Sequence, residues 1–77
     1  MANQALNNDI MEYMVWIIEI VSVEFFDGDK TLAYEALQQS GVWHMYVSHY
    51  DVTHSLGSEY ILQEIKEVFI EKGVAIS

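Results

Sequence analysis

The sequence contains no cysteine, no arginine and no proline. The lack of cysteine excludes disulfide bonds and every metal site that depends on thiolates. Disulfides and metal ions are common supports of small domains, and a chain of 77 residues buries only about 60% of the surface that it exposes when unfolded. We therefore expect this chain to be supported by self-association or by a protein partner.

Positive charge is also scarce, since three lysines stand against twelve aspartates and glutamates and the formal net charge is −9. Binding to nucleic acid is disfavoured because it normally needs lysine and arginine to neutralise phosphates. The same negative field disfavours anionic membrane surfaces and favours basic proteins as partners. The first residues, MANQALNND, lack the positively charged region of a signal peptide, so we expect a cytoplasmic protein.

Apolar residues make up 52% of the chain, which is more than a disordered sequence contains. They recur at helical spacing, and no stretch alternates as a strand would. We predict one all-α domain, a compact bundle of about four helices with an apolar first helix at its centre. The predicted helices span residues 9–26, 30–39, 42–55 and 58–72, after a frayed lead-in of residues 1–8.

The first predicted helix is apolar on more of its circumference than a single core-facing stripe needs. Its core face is predicted to comprise Ile10, Met11, Met14, Ile17, Ile18, Val21 and Phe25. Trp16, Ile20 and Val23 fall instead among the acidic residues of the opposite side. A membrane span is disfavoured because glutamates interrupt the helix and its longest apolar run has six residues, where roughly twenty are needed.

Two interpretations of this helix remain open. Either the other helices wrap around it, or a second subunit buries its outer side. In the second case Trp16, Ile20 and Val23 form the candidate interface, because aromatic and aliphatic residues are typical of interface centres.

Small polar residues and glycines mark the predicted helix boundaries. We expect Asp27 or Asp29 to cap the second helix and Gly41 to end it in a left-handed conformation. Gly57 is expected to end the third helix, and Ser58 to cap the fourth. The oxygen spacing after Asp27 is similar to that of a calcium loop, but the glycine and the glutamate required at its sixth and twelfth positions are missing.

Residues 50–65 read YDVTHSLGSEYILQEI, and this stretch turns a corner between the last two predicted helices. It resembles the signature of a family of short bacterial helical domains of unknown function, in which a YDVxH or LHTxG type motif precedes an EYIxxDI helix. The resemblance implies a small helical fold and a bacterial host but no known activity. Members of the family are often encoded beside other short uncharacterised proteins, which suggests a partner-binding or antitoxin-like role. The matching positions are Tyr50, Asp51, His54, Gly57, Tyr60 and Ile61.

The corner has a chemical and a structural interpretation. His54 follows Tyr50 by four residues and Asp51 by three, so on a helix the three could meet, with Asp51 orienting the imidazole for proton transfer. In the structural interpretation, His54 fills the corner and bonds a backbone carbonyl. No cysteine nucleophile exists, and nothing in the sequence supplies an oxyanion hole beside the neighbouring serines. We therefore predict no catalytic residues.

The three histidines recur every five residues, at positions 44, 49 and 54. On a helix this spacing rotates each by about 140° from the last, so they cannot converge on one metal. We predict no metal and no cofactor. The leading functional prediction is a non-enzymatic protein–protein interaction module that binds a protein partner or forms a homo-oligomer. The alternative is a small ligand-binding domain or enzyme that uses Tyr50, Asp51 and His54.

Overall fold

The computed structural model describes the backbone of residues 2–76 and the side chains of residues 9–76. Over residues 2–76 the chain forms helices only, which confirms the predicted all-α class. The elements are α1 (Ala2–Phe25), α2 (Lys30–Ser40), α3 (Val42–Ser48), α4 (Tyr50–Thr53) and α5 (Ser58–Glu71). They pack into a compact bundle that measures 41 × 21 × 20 Å.

The first helix lies inside the bundle, as predicted: it contacts α2, α3 and α5 and contributes Met14, Ile17, Val21 and Phe25 to the buried core. Its buried face repeats at intervals of three or four residues, the spacing of one helical face. At one end of the bundle the rings of Phe25 and Phe69 pack edge to face, with 5.9 Å between their centroids. The buried apolar side chains found among residues 9–76 are Met14, Ile17, Val21, Phe25, Ala33, Ala36, Leu37, Val42, Tyr46, Ile61, Ile65 and Phe69.

The helical backbone begins earlier than predicted. It starts at Ala2 rather than near Asp9, so residues 2–8 continue α1 instead of forming a frayed lead-in, while Met1 lies outside the described residues. The physical reason is local: alanine, glutamine and leucine are good helix formers, and neither glycine nor proline separates them from the rest of α1.

One residue of the predicted core face of α1 is misplaced. Met11 is 66% exposed, whereas Met14, on the same predicted face, is buried. On the flank of α1 that carries Met11, Val15 is exposed as well, and Ile18 is only half-buried. The predicted core face of α1 was therefore too wide.

The prediction of one continuous third helix over residues 42–55 is wrong. The backbone leaves helical geometry at His49, where φ is −117° and ψ is 33°, and α3 and α4 lie on either side. The break coincides with contacts to α1: the Tyr50 ring packs edge to face on Tyr13 at 5.2 Å, and the Tyr13 hydroxyl donates to the carbonyl oxygen of Thr53 at 2.9 Å. Contacts between residues so far apart in the sequence cannot be predicted from the spacing of apolar residues along one helix.

Two of the predicted boundary residues are confirmed and two are wrong: Gly57 does not end the preceding helix, because α4 already ends at Thr53. The Asp29 carboxylate accepts a hydrogen bond from the Leu32 N–H and caps α2. Gly41 ends α2 with a φ of 83°, a left-handed conformation that glycine adopts without steric cost. Ser58 does not cap α5, because Gly57 occupies the capping position and makes no side-chain bond there.

Candidate functional site

The motif corner runs from α4 through residues 54–57 into α5. His54 directly follows α4, and its Nδ1 lies 2.6 Å from the carbonyl oxygen of Tyr50. The imidazole also stacks on the Tyr50 ring, with 4.7 Å between the ring centroids. His54 therefore has the backbone partner of the structural interpretation, while its ring lies exposed at the surface.

The structure does not bring Asp51 to His54. Both side chains are exposed, and among residues 9–76 no hydrogen bond or ion pair joins them. The carbonyl of Tyr50 occupies the position at Nδ1 that an orienting carboxylate would take. The corner thus lacks the oriented Asp–His arrangement that the proton-transfer interpretation needs.

The remaining motif positions divide between the core and the surface. Gly57 has an extended backbone, with φ −75° and ψ 157°, and precedes the first residue of α5. Ile61 is fully buried in the core, whereas Tyr60 is 57% exposed. Within the motif, Gly57 therefore lies where the chain turns, and Ile61 anchors the start of α5 in the core.

A buried polar pair lies beside the corner. The Tyr46 side chain is fully buried, and its hydroxyl donates a 2.6 Å hydrogen bond to Oε1 of Glu64. Burial, and then this bond to a carboxylate, raise the pKa of Tyr46 well above the usual value for tyrosine, because both disfavour the phenolate. The pair ties α3 to α5, and the Tyr46 phenol keeps its proton near neutral pH.

A second tyrosine ties α1 to the same region. The Tyr13 hydroxyl donates to the carbonyl of Thr53, and the Thr53 hydroxyl donates to the carbonyl of Tyr46 at 3.4 Å. Partial burial raises the pKa of the Tyr13 hydroxyl. These bonds satisfy the polar groups inside the bundle, which is the arrangement expected of a stable core rather than of a reactive site.

Sequence analysis did not single out Tyr13, Tyr46 or Glu64 as interacting residues. One weak signal was present: Glu64 lies three residues after Ile61 and one before Ile65, which places it at the edge of the apolar stripe of α5. A carboxylate at the edge of a core stripe needs a donor. Its partner, 18 residues earlier, depends on how α3 packs against α5.

The predicted interface residues Trp16, Ile20 and Val23 do lie together. They line one side of a groove of about 500 Å³ between α1 and α5, here called the acidic groove. Val23 is 69% exposed and Trp16 is 36% exposed, so apolar side chains face water. The other lining residues are Glu19, Glu24, Ser58 and Leu62.

The charge around the acidic groove is mostly negative. Glu19 and Glu24 belong to its wall, and an adjoining depression of about 270 Å³ shares Glu24 and adds Glu59. Lys66 is the one basic residue that lines this adjoining depression. The lining of the acidic groove thus combines apolar side chains with carboxylates.

The histidines stay apart, and their ring nitrogens face local groups. His49 Nδ1 lies 3.0 Å from the Met45 carbonyl oxygen, and His44 Nε2 lies 3.4 Å from the Ser48 hydroxyl. Among residues 9–76, no three side chains of the metal-binding types gather in one place. In the described part of the chain, no helix combines the length and the apolar character needed to cross a membrane.

No protein-family model matches this chain, and neither the curated proteins nor the solved structures yield a significant match.

Proposed function

We propose that this protein is a non-enzymatic interaction module of the cytoplasm, which binds an apolar, positively charged segment of another protein. The observation that carries the proposal is the acidic groove, where an exposed tryptophan and an exposed valine lie between glutamates. An antitoxin-like role, which the family resemblance suggests, is one form of such binding.

The apolar side chains of the acidic groove provide the main contacts for this binding. Trp16 and Val23 lose contact with water when a partner covers them, and tryptophan is among the residues that most often dominate interface energy. Trp16 is also held by a ring contact with Tyr13, with 5.9 Å between centroids, so its indole is partly ordered before a partner arrives. Such pre-ordering lowers the entropic cost of association.

The glutamates of the acidic groove determine the charge of the partner that binds there. Glu19 and Glu24 add to a chain that already carries a net charge of −9, so a segment with lysine or arginine is attracted and an acidic one is repelled. A second copy of this chain is a poor occupant here, because its own Glu19 and Glu24 would face them. The groove therefore favours a different, basic protein.

The enzymatic or ligand-binding alternative at Tyr50, Asp51 and His54 has less support. Nδ1 of His54 is occupied by a backbone carbonyl, and Asp51 does not contact the imidazole. The nearest groove, of about 410 Å³, is lined by His49 and Tyr60 but not by His54. His54 therefore presents no oriented base to this groove.

The proposal is tested by quantitative co-purification of the full chain, expressed at native level in its own organism. We expect one stoichiometric partner with a basic, amphipathic segment. Trp16→Ala should weaken the interaction by about 2 kcal/mol or more, which is a rise of about 30-fold in Kd. The dissociation constant is then measured with the purified partner, and circular dichroism checks that helicity is unchanged.

Ile70→Ala is the matched control, because Ile70 is a 62% exposed apolar residue on α5 that does not line the acidic groove. It should bind the partner as the wild type does. Equal losses for Trp16→Ala and Ile70→Ala, or recovery of this chain alone, would refute the assignment of the acidic groove as a docking site.

A further inference from the structure

The other flank of α1 carries a second apolar surface, which sequence analysis did not predict. A groove of about 230 Å³ separates α1 from α3 and has almost wholly apolar walls. Its exposed members include Met11 and Val15, which is 62% exposed. The lining residues are Ile10, Met11, Met14, Val15, Trp43 and Val47.

This groove continues into a neighbouring depression of about 360 Å³ between α1 and α2. Val15 lines both, and Tyr34 of the depression packs edge to face on Trp43 of the groove, with 5.1 Å between ring centroids. The two together are called the carboxylate-free face. The depression is lined by Val15, Ile18, Lys30, Thr31 and Tyr34.

The carboxylate-free face carries almost no charge. None of the twelve aspartates and glutamates lines the groove or the depression, and Lys30 is the only charged lining residue. Residues 1–8, whose side chains are not described, contain no acidic residue either. On a chain with a net charge of −9, an extended apolar surface without a carboxylate is a distinct feature.

From this distribution we infer that two copies of the chain associate through the carboxylate-free face. Repulsion between two copies of charge −9 opposes self-association wherever carboxylates meet carboxylates. None of the residues that line this face is acidic, whereas Glu19 and Glu24 line the acidic groove, so burial of apolar area meets less repulsion here. A basic partner gains little here, because its charges find no acid and are drawn to the acidic groove.

A two-fold arrangement fits the layout of the face. Glu12 and Glu19 lie within one helical turn of Val15 on α1. The two-fold axis is therefore placed at the groove between α1 and α3, where Met11 and Trp43 of one copy face the same residues of the other. Aromatic residues then lie at the centre of the interface, where they are typically enriched. The dimer also supplies the additional buried area that a domain of 77 residues lacks on its own.

Sedimentation equilibrium of the full chain, over micromolar to near-millimolar concentrations, tests this inference with a matched pair of variants. Val15→Glu and Val23→Glu make the same change at two exposed valines of α1, one on each flank. We expect the wild type and Val23→Glu to dimerise alike. By symmetry Val15→Glu places two carboxylates in the interface, so we expect its dimer dissociation constant to rise by at least about 100-fold.

Circular dichroism establishes that each variant is folded, and Met11→Glu repeats the test if Val15→Glu loses helicity. A wild type that stays monomeric throughout the concentration range overturns the inference. So does a dimer that survives Val15→Glu, or one that Val23→Glu disrupts, since the copies would then meet at another surface. The result does not depend on the heterologous partner, so it is independent of the proposed function.

Discussion

The two flanks of α1 present apolar grooves of similar chemistry but different charge. The acidic groove has Glu19 and Glu24 in its walls, whereas the carboxylate-free face has no acidic lining residue. Exposed apolar area alone would mark both surfaces as binding sites. The position of the carboxylates distinguishes them: one surface suits a basic partner, and the other suits a second copy of the same acidic chain.

Both grooves depend on the same buried stripe of α1, and disrupting that stripe gives the largest expected effect. Ile17 is fully buried between them, so Ile17→Ala removes core volume and should lower the free energy of unfolding by about 2–5 kcal/mol. Val15→Ala and Val23→Ala, at exposed positions, should change it by no more than about 0.5 kcal/mol.

Urea unfolding followed by circular dichroism measures these differences. The protein concentration must be kept below the range in which dimers form, because association adds to apparent stability. A cost for Val15→Ala as large as that for Ile17→Ala would mean that the carboxylate-free face is packed within the monomer. The comparison between the two flanks would then fail.

A third side of the bundle sharpens the comparison, because there the polar groups are bonded inside the chain. Burial, and for Tyr46 also the bond to Glu64, raise the pKa of Tyr46 and Tyr13 above the unfolded value of about 10. Above that pH the unfolded chain releases protons that the native chain keeps. The stability contributed by these groups is therefore complete below about pH 10 and falls above it, most steeply for the buried Tyr46, at up to about 1.4 kcal/mol per pH unit.

Tyr46→Phe isolates this contribution. It removes a hydrogen bond worth about 1 kcal/mol at neutral pH, and the variant should lose less stability than the wild type between pH 10 and higher values. Unfolding curves at several alkaline pH values provide the measurement. Identical slopes for Tyr46→Phe and the wild type would contradict the assignment of the slope to this buried phenol.

The sequence predicts the parts of this molecule that depend on local periodicity. The helical class, the central first helix, the cap at Asp29 and the glycine end at Gly41 all follow from spacing and residue type, and the structure confirms them. Trp16, Ile20 and Val23 were placed together because a helical wheel fixes their common side, and the structure places all three in one groove.

Tertiary packing determines the features that the helical periodicity of the sequence does not predict. A wheel shows that Met11 and Met14 share the apolar half of α1, but only the positions of α2 and α3 determine that Met11 stays exposed. The interruption at His49 likewise accompanies contacts between Tyr50 and Tyr13, which are 37 residues apart. The carboxylate-free face was missed for the same reason, since it joins residues from three helices.

The smallest expected effect is also the most specific, because the two surfaces should respond to salt in opposite directions. Raising ionic strength from about 0.01 M to about 0.1 M shortens the Debye length from about 30 Å to about 10 Å. Repulsion between two copies of charge −9 is then screened, and the dimer dissociation constant should fall by a few-fold. Binding of a basic partner to the acidic groove should weaken over the same range, because attraction is screened instead.

The double variant Glu19→Gln and Glu24→Gln separates the two responses. It removes two of the twelve negative charges from the wall of the acidic groove, so the partner should bind more weakly and with a shallower dependence on salt. Because neither residue lines the carboxylate-free face, the dimer should form as readily as in the wild type or slightly more so. Sedimentation of the variant at both salt concentrations decides the matter: a weakened dimer would place Glu19 or Glu24 inside the self-association interface and merge the two surfaces into one.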